Sequence, residues 1–338
     1  VNLANVVRPR RLLLRARPRV HSRVRAMTLL QRALPKDWES LDRTCVCVHC
    51  GAAYAIRHLE YGKPPTGLSP ALSEGFVELT RDETTRAYLQ RAMRRSKLSW
   101  KIDHWIRNFL TKVVKLSPTA ALAVTGSGGM FVLSTSHLRK LLGLSETDRM
   151  GGVLLDIGAG SGQVTAQLAP LFDRVAATES VWGMVQRLRT RGYAARHCET
   201  LDGMEDFLAR TVGSEQCDAI ALLNVLDRCD EPRLLLRRLQ ALLKPGGVLI
   251  LAVVLPFRPF VERGNTKVAP KEKLPLAPNA GWAPSATVLW EAVLAPMGWK
   301  LEACARVPYL SEGDLRAPLY TLDDVVYILR APTKSGSD

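Results

Sequence analysis

The residues whose types and spacing most clearly suggest chemistry lie in one short run, residues 154–162, with the sequence LLDIGAGSG. Residues 153–157 predict a buried parallel strand and residues 163–171 predict the following helix, so the glycines lie in the turn between them. Glycines let a chain turn sharply and let a ligand approach the backbone, while a new helix offers free N–H groups. We therefore expect a ligand at this turn, and the candidate residues are Asp156, Gly158, Gly160 and Gly162.

A second acid follows at a distance that suits an adenosine-type cofactor. Glu179 ends another strand-like run, residues 174–179, and lies 23 residues after Asp156. A carboxylate at this place can accept hydrogen bonds from both hydroxyls of a ribose. The spacing G-x-G-x-G, with an acid two residues before the first glycine, resembles motif I of class I S-adenosylmethionine-dependent methyltransferases. Dinucleotide dehydrogenases, the lesser alternative, use G-x-G-x-x-G. The resemblance implies S-adenosylmethionine as the cofactor.

Two polar side chains follow the strongly apolar strand predicted at residues 217–223. Asn224 and Asp227 come directly after it, so a doubly wound sheet places them at its carboxyl edge, beside the glycine turn. We expect both to be catalytic, and Asn224 also to contact the cofactor. The alternative is that they cap the helix beginning near Pro232, although Asp230 is better placed for that.

Strand-like runs and helical patterns alternate from residue 153 to residue 255, as a doubly wound sheet requires. Two further strands, predicted at 299–307 and 320–329, have no helix between them, which indicates an antiparallel end of the sheet. The alternation therefore predicts an α/β fold, and the resemblance to motif I implies a Rossmann-like class I methyltransferase domain, preceded by a helical region. The predicted divisions are a largely disordered basic tail and linker (1–70), a helical region packed on the core (71–148), the methyltransferase domain (149–332) with a loop insertion (256–284), and a short tail (333–338).

The helical region contains an apolar stripe between residues 84 and 114, with Arg and Lys between the apolar positions. Stripes of this kind usually pack on a core. We therefore expect one long helix or two shorter ones that bury Tyr88, Leu89, Ile102, Trp105 and Phe109.

Composition limits the classes of function. The net charge is +15, but residues 1–36 hold ten of the 47 basic residues and no acid, which leaves 37 basic against 32 acidic residues. The balanced remainder argues against nucleic acid as a partner. The seven cysteines are odd in number and scattered, and the run CVCVHC at 45–50 is too cramped for a usual zinc site, so we expect free thiols and no metal. No stretch reaches the ~18 apolar residues of a membrane span.

Several separated segments resemble the DREV family, also called methyltransferase-like protein nine. They are FVELTRDETTRAYL at 76–89, GGMFVLSTSHLRKLL at 128–142, LLNVLDRCDEP at 222–232, LAVVLPFRPFVE at 251–262, and RVPYLSEGD at 306–314 with LDDVVYIL after it. The resemblance covers roughly residues 72–331. It implies methylation of the N-pros nitrogen, Nδ1, of histidines in His-x-His segments of proteins.

The resemblance also implies roles for individual residues. A partner that accepts the Nε2–H of a histidine leaves Nδ1 as the nucleophile, and Asp227 is the candidate, with Asn224 completing the orientation. Tyr309 is expected in the wall of the substrate pocket. Arg306 is a second candidate there, although it could instead hold its segment in place.

Two other classes of function stay open at this point: a class I methyltransferase acting on RNA or a small molecule, and a non-catalytic cofactor-binding scaffold. None of the six histidines are two residues apart, so protein substrates must be other chains. The Arg-rich start resembles a mitochondrial presequence and the family favours endomembranes or mitochondria, while a cytoplasmic location is also compatible. The sequence is silent on oligomeric state.

Overall fold

A computed structural model describes residues 44–47, 53–55, 59, 61–94, 97–112, 129–263, 266–314 and 317–332. Its strands, in chain order, are β1 (Thr44–Cys47), β2 (Ala53–Ala55), β3 (Met130–Phe131), β4 (Val153–Ile157), β5 (Arg174–Glu179), β6 (Ala194–His197), β7 (Cys217–Leu223), β8 (Leu243–Leu255), β9 (Val261–Arg263), β10 (Thr266–Val268), β11 (Lys300–Glu312) and β12 (Leu319–Arg330). Its helices are α1 (Pro70–Glu74), α2 (Glu83–Arg94), α3 (Lys97–Lys112), α4 (Thr135–Leu141), α5 (Thr165–Leu168), α6 (Trp182–Thr190), α7 (Met204–Val212), α8 (Pro232–Leu242) and α9 (Trp282–Leu289).

The main sheet has the order β2-β1-β12-β8-β7-β4-β5-β6, with β11 paired to β12 and β3 paired to β11. Strands β4 to β8 are mutually parallel, whereas β12 runs antiparallel to β8 and to β11. The predicted α/β doubly wound sheet with an antiparallel end is therefore confirmed. Because β12 runs against the parallel strands, its first residues lie at their carboxyl edge.

Helices cover both faces of this sheet, and the alternation of side chains along each strand assigns residues to one face or the other. Leu155 of β4 packs in a cluster with residues of α7, α8 and α9. Its neighbour Leu154 packs in the opposite cluster with residues of α4 and α5. The glycine turn after β4 is thus supported from both faces by a close-packed core.

The N-terminal part contributes strands as well as the predicted helices. β1 pairs with β12 and β2 pairs with β1, although both strands fall within residues 1–70, where the sequence predicts only tail and linker. Residues 1–43 and 333–338, and the run 48–50 with two of the four candidate zinc ligands, His49 and Cys50, lie outside the described residues. β3 adds to the far edge of β11, so the segment before the methyltransferase domain is part of the sheet.

The apolar stripe at 84–114 forms two helices, α2 and α3, and only α2 buries its stripe. Tyr88 and Leu89 are buried, as predicted, but Ile102, Trp105 and Phe109 are exposed, Trp105 to 70%. The expectation that all of these side chains pack on the core is wrong for α3. Helical periodicity shows that the apolar residues share one face of a helix, but it does not show whether another element covers that face.

The insertion predicted at 256–284 is only partly a loop. It contains the hairpin β9–β10, and Leu274 and Leu276 from its second half are buried in the core. The backbone N–H of Phe260 donates to the carbonyl of Asp227 (3.0 Å), which attaches the start of this segment to the loop after β7.

Two of the upstream segments that carry the family resemblance meet in one buried network. Asp82 precedes α2, and its Oδ1 accepts the backbone N–H of Thr85 (2.8 Å) and the Thr85 hydroxyl (2.7 Å). Its Oδ2 accepts the hydroxyl of Ser134, which caps α4. His137 Nε2 in turn lies 2.7 Å from the carbonyl of Thr80. These segments therefore serve to join α2 to α4.

Asp82→Ala is expected to destabilise this junction. The loss of the helix cap costs about 1 kcal/mol, and the buried Ser134 hydroxyl left without its acceptor costs about 1–3 kcal/mol more. Equilibrium denaturation measures the free energy of unfolding, with Asp82→Asn as the control that keeps the cap. A loss below about 0.5 kcal/mol, the level of an ordinary surface substitution, would contradict a structural role.

The pH dependence of the same contribution has a definite sign. Burial raises the pKa of Asp82, but the hydrogen bonds from Ser134 and Thr85 outweigh burial, so the pKa lies below its ordinary value. The stabilisation is therefore present above the unfolded value of about 3.9 and is lost as the pH falls through the lower folded value.

Among the residues that the structure describes, no helix combines the length and the apolar character that crossing a membrane requires.

Candidate active site

The glycine turn after β4 has a backbone shape that only glycine adopts easily. Gly158, Gly160 and Gly162 all have positive φ, at 69°, 55° and 79°. A Cβ on Gly158 would lie 2.6 Å from Cγ2 of Val225, so any side chain there would collide with the loop after β7. The N–H of Ala159 donates to the carbonyl of Thr178 (3.0 Å), which ties the turn to the end of β5.

Glu179 lies at this junction, as predicted. Its Oε2 accepts the backbone N–H of Gly160 (2.9 Å), and its Oε1 accepts the N–H groups of Ser180 (2.8 Å) and Val181 (3.2 Å). The carboxylate therefore holds the turn against the end of β5, and its Oε2, which accepts only the bond from Gly160, keeps capacity for a further hydrogen bond. Trp182 and His197, which the sequence analysis does not single out, flank Glu179 and stack on each other with ring centroids 4.4 Å apart.

Asp156 lies beneath the turn and is almost completely buried. Its Oδ2 accepts the hydroxyl of Thr165 (2.6 Å), the first residue of α5. Burial raises the pKa of Asp156 to about 7, with the hydrogen bond from Thr165 opposing the shift and the charge of Glu179 adding to it. The contact with Thr165 links the end of β4 to α5, so Asp156 stabilises the shape of the turn.

These residues fit the adenosyl cofactor that the sequence predicts. The positive φ values of the three glycines let the backbone turn sharply between β4 and α5, where backbone N–H groups can face a ligand. Glu179 sits where a ribose would present its two hydroxyls. A Cβ on Gly160 would lie 3.5 Å from Cε of Met130, so Met130 of β3 lies against the same turn.

Asn224 is the first residue after β7 and has an unusual backbone. Its φ is 58°, the only positive φ of a non-glycine residue among those described, and its N–H donates to the carbonyl of Ala252 on β8 (2.9 Å). Its side-chain Nδ2 donates to Oδ2 of Asp324 (2.8 Å), while its Oδ1 is buried without a partner.

Asp227 lies three residues further on, in a short 3₁₀ turn, Leu226–Arg228, and is 3% exposed. Its Oδ2 lies 3.2 Å from Nη2 of Arg228, and its Oδ1 is buried without a partner. Burial raises the pKa of Asp227, and the nearby Arg228 opposes that shift.

The alternative that these residues cap helix α8 is wrong. The N-cap position of α8 is Glu231, and no side chain caps it. The expectation that Asp230 would cap it is also wrong, because Asp230 instead accepts the N–H of Lys271 (3.2 Å) and pairs with Arg263 (2.8 Å). Asp230 thereby fastens the segment after β8 to the loop after β7.

Tyr309 of β11 joins the same region. Its hydroxyl lies 2.6 Å from Sδ of Met130, and Met130 N–H donates to Oε1 of Gln163 beside the glycine turn (3.1 Å). Burial raises the pKa of Tyr309, and the carboxyls of Asp324 and Asp227 raise it further. Tyr309, Asn224, Asp227 and Asp324 therefore form one group around the edge of the sheet.

Arg306, the other residue predicted to bind substrate, is not brought to this group. It is three residues from Tyr309 on the same strand and so projects from the opposite face of the sheet. There its guanidinium pairs with Asp323 (2.6 Å) and lies over the ring of Trp282 on α9. The geometry matches the structural alternative, in which Arg306 holds β11 to β12 and α9.

Sequence reasoning missed Asp324. The signal was present in the LDDVVYIL run, where two adjacent acids begin an otherwise apolar strand. Nothing in the local pattern shows that the second acid turns inward, because its contact with Asn224 depends on the pairing of β12 with β8. In the described part of the chain, no cluster of His, Cys, Asp or Glu could hold a metal ion.

The parallel sheet with its antiparallel end, the glycine turn followed by Glu179, and the polar group at the carboxyl edge define a class I methyltransferase. A family model described as DREV methyltransferase matches residues 61–331. The chain belongs to the DREV methyltransferase family, and its methyl donor is S-adenosylmethionine.

More distant similarities to other proteins are also found, and the assignment does not rest on them. The ubiquinone biosynthesis O-methyltransferase of Xanthomonas oryzae pv. oryzae (strain PXO99A) is 29% identical over 109 residues, which is 32% of this chain and 45% of that protein. The chain thus spans less than half the length of this relative. Among solved structures, a protein of echinomycin biosynthesis aligns over 59% of this chain and 81% of its own, at 16% identity and a TM-score of 0.39. A DhpI–SAH complex aligns over 70% and 96%, at 16% identity and a TM-score of 0.36.

Proposed function

We propose that this protein transfers the methyl group of S-adenosylmethionine to Nδ1 of histidine in His-x-His segments of other proteins. The observation that carries the proposal is a shortage of hydrogen-bond donors at the carboxyl edge of the sheet. Oδ1 of Asn224, Oδ1 of Asp227 and Oδ1 of Asp324 are all buried without partners. Buried acceptors left unpaired cost about 1–3 kcal/mol each, so this site suits a ligand that brings N–H groups.

A neutral imidazole has one N–H and one nitrogen lone pair. If Oδ1 of Asp227 accepts the Nε2–H, the tautomer is fixed and the lone pair is on Nδ1. Asn224, whose amide is held by Asp324, offers a second acceptor that orients the substrate. Tyr309 and Met130 enclose the group from the side of β11 and β3.

When bound, S-adenosylmethionine supplies a methyl group that leaves its sulfonium sulfur as Nδ1 forms the new bond. Methylation makes the ring cationic, and a carboxylate beside Nε2 stabilises that charge. Asp227 then takes the Nε2 proton, so the product leaves as neutral methylhistidine and the proton passes to solvent. Lysine fits the site less well, because its ammonium has no lone pair until it has lost a proton.

Family membership supports the choice of a protein substrate, since the resemblance to the DREV family implies histidines in His-x-His segments. The rivals are small molecules with an N–H or O–H group, and RNA. Each of them predicts a different labelled product.

The test is methyl transfer from labelled S-adenosylmethionine to a peptide with a His-x-His repeat, with an Ala-x-Ala peptide of the same length as the control. We expect label in the first peptide only, and fragmentation with authentic standards should place it on Nδ1. Label on Nε2, or label only in a phenol or an RNA supplied in parallel, would contradict the proposal. Binding of S-adenosylhomocysteine, measured by calorimetry, establishes that a preparation without activity is still folded.

A further inference from the structure

We propose that Asp324 is a positioning residue for methyl transfer, because its carboxyl holds the side-chain amide of Asn224 and keeps Asn224 Oδ1 turned toward the reactants. This inference rests on the proposed function for the identity of the substrate. The contact between the two side chains does not depend on that identity.

The first support is the backbone of Asn224. A residue with φ near +58° is disfavoured outside glycine, although Asn tolerates this conformation better than most residues. The conformation places Asn224 at the end of β7, where its N–H bonds across to Ala252 of β8. Local strain held in this way is common at functional sites, where surrounding structure maintains it.

The second support is the route by which Asp324 reaches Asn224. The two residues are 100 positions apart, and β8 lies between their strands. Asp324 pairs with Val254 at the start of the shared β12–β8 register, so it lies at the carboxyl edge beside the loop after β7. The Nδ2–Oδ2 hydrogen bond of 2.8 Å passes over β8 and leaves Asn224 one side-chain atom, Oδ1, for a ligand.

The third support is the cost of a carboxyl at this position. Asp324 is completely buried, and an apolar residue would be less costly there if packing were its only role. Burial raises the pKa of Asp324 well above its ordinary value, and the nearby Asp323 and Asp227 add to the shift. What Asp324 offers Asn224 is one accepted hydrogen bond with fixed geometry. A neutral amide should replace it.

The kinetic test compares Asp324→Ala and Asp324→Val, which remove the acceptor, with Asp324→Asn, which restores one. Asp324→Val keeps most of the volume, so it supplies a folded variant if alanine does not. Misplacement of a reacting group by about 1 Å costs about 10²-fold, so we expect both apolar variants to lose about 10²-fold in kcat, with the KM of the peptide changed less than about threefold. Asp324→Asn restores an acceptor for the Asn224 amide. Because the remaining misplacement should then be well below 1 Å, its kcat should lie within about fivefold of the parent value.

Asp218→Asn is the matched control. Asp218 also lies in the sheet, where it accepts the N–H of Val153 (2.8 Å) and pairs with Lys244 (2.8 Å), but it is at the amino edge. This variant should lower the melting temperature and leave kcat unchanged. If Asp218→Asn depresses kcat as much as Asp324→Ala does, or if Asp324→Asn is as inactive as Asp324→Ala, positioning through the hydrogen bond is overturned.

A second readout does not require turnover. In protein with ¹⁵N-labelled asparagine and bound S-adenosylhomocysteine, the side-chain amide hydrogens of Asn224 should exchange slowly in the parent and in Asp324→Asn. They should exchange much faster in Asp324→Val. If the parent does not methylate histidine peptides but the amide behaves in this way, the proposed function fails and the positioning role stands. If exchange is the same in the parent and in Asp324→Val, the positioning role fails whatever the substrate is.

Discussion

Asp227→Asn is expected to lower kcat on a histidine peptide by about 10²–10⁴-fold, the range that covers loss of a positioned acid–base group or selection of the wrong imidazole tautomer. The carboxylate is 3% exposed, and its Oδ1 has no partner, so it is free to accept the Nε2–H of the substrate. Asparagine has nearly the same shape but replaces one acceptor with an N–H donor. If that donor faces Nε2, the imidazole must carry its hydrogen on Nδ1, which removes the nucleophile.

The matched variants separate chemistry from folding. Asp227→Asn should retain the melting temperature and the affinity for S-adenosylhomocysteine, because Asp227 is not part of the glycine turn. Arg228→Gln, which removes the neighbouring cation (3.2 Å) and keeps Asp227, should have a smaller effect on kcat. Equal turnover of Asp227→Asn and the parent would exclude the orienting role of Asp227.

The pH dependence of kcat/KM provides a second test of the proposed role of Asp227. Burial raises the pKa of Asp227, and only its ionised form can take the Nε2 proton, so kcat/KM should fall on the acid side at a higher pH than an ordinary aspartate would require. The free histidine substrate, with a pKa of about 6.5, also loses its lone pair on the acid side. The acid-side fall in kcat/KM that remains in Asp227→Asn reflects protonation of the substrate histidine. The difference between the pH profiles of the parent and the variant reflects protonation of Asp227.

Glu179→Ala is expected to weaken cofactor binding most. The substitution removes the acceptor for the ribose hydroxyls and also the acceptor for the N–H of Gly160 (2.9 Å), which holds the turn in shape. Hydrogen bonds to a charged group are worth roughly 1.5–3 kcal/mol each, so we expect the Kd for S-adenosylhomocysteine to rise by at least about 30-fold, an energy of about 2 kcal/mol. Isothermal titration calorimetry measures this directly.

The kinetic signature of Glu179→Ala should be the opposite of that of Asp227→Asn. At saturating S-adenosylmethionine, kcat should recover to a large extent, because Glu179 does not contact the substrate in our proposal. Glu179→Gln keeps one side-chain acceptor and should be intermediate in affinity. An unchanged Kd in Glu179→Ala would show that the ribose is held elsewhere.

Local sequence pattern was sufficient to predict the elements of the proposed cofactor site. The strand at 153–157, the glycine turn and the strand ending at Glu179 are where the spacing predicts them, because an apolar run, an acid and positive-φ glycines are all properties of neighbouring residues. The same holds for β7, whose apolar run places Asn224 and Asp227 at the carboxyl edge. The family resemblance and the fold class, both drawn from such segments, are confirmed.

The other half of the site was decided by tertiary structure. Asp324 reaches Asn224 only because β12 runs antiparallel beside β8, and Met130 reaches the turn only because β3 adds to the edge of β11. The sequence predicts a strand that ends at residue 307, before Tyr309. Pairing with β12 extends β11 to Glu312, so Arg306 and Tyr309 share one strand and their odd separation sends them to opposite faces. Strand pairing and the covering of a face depend on contacts between distant residues, and no local period in the sequence records which distant residue will be the neighbour.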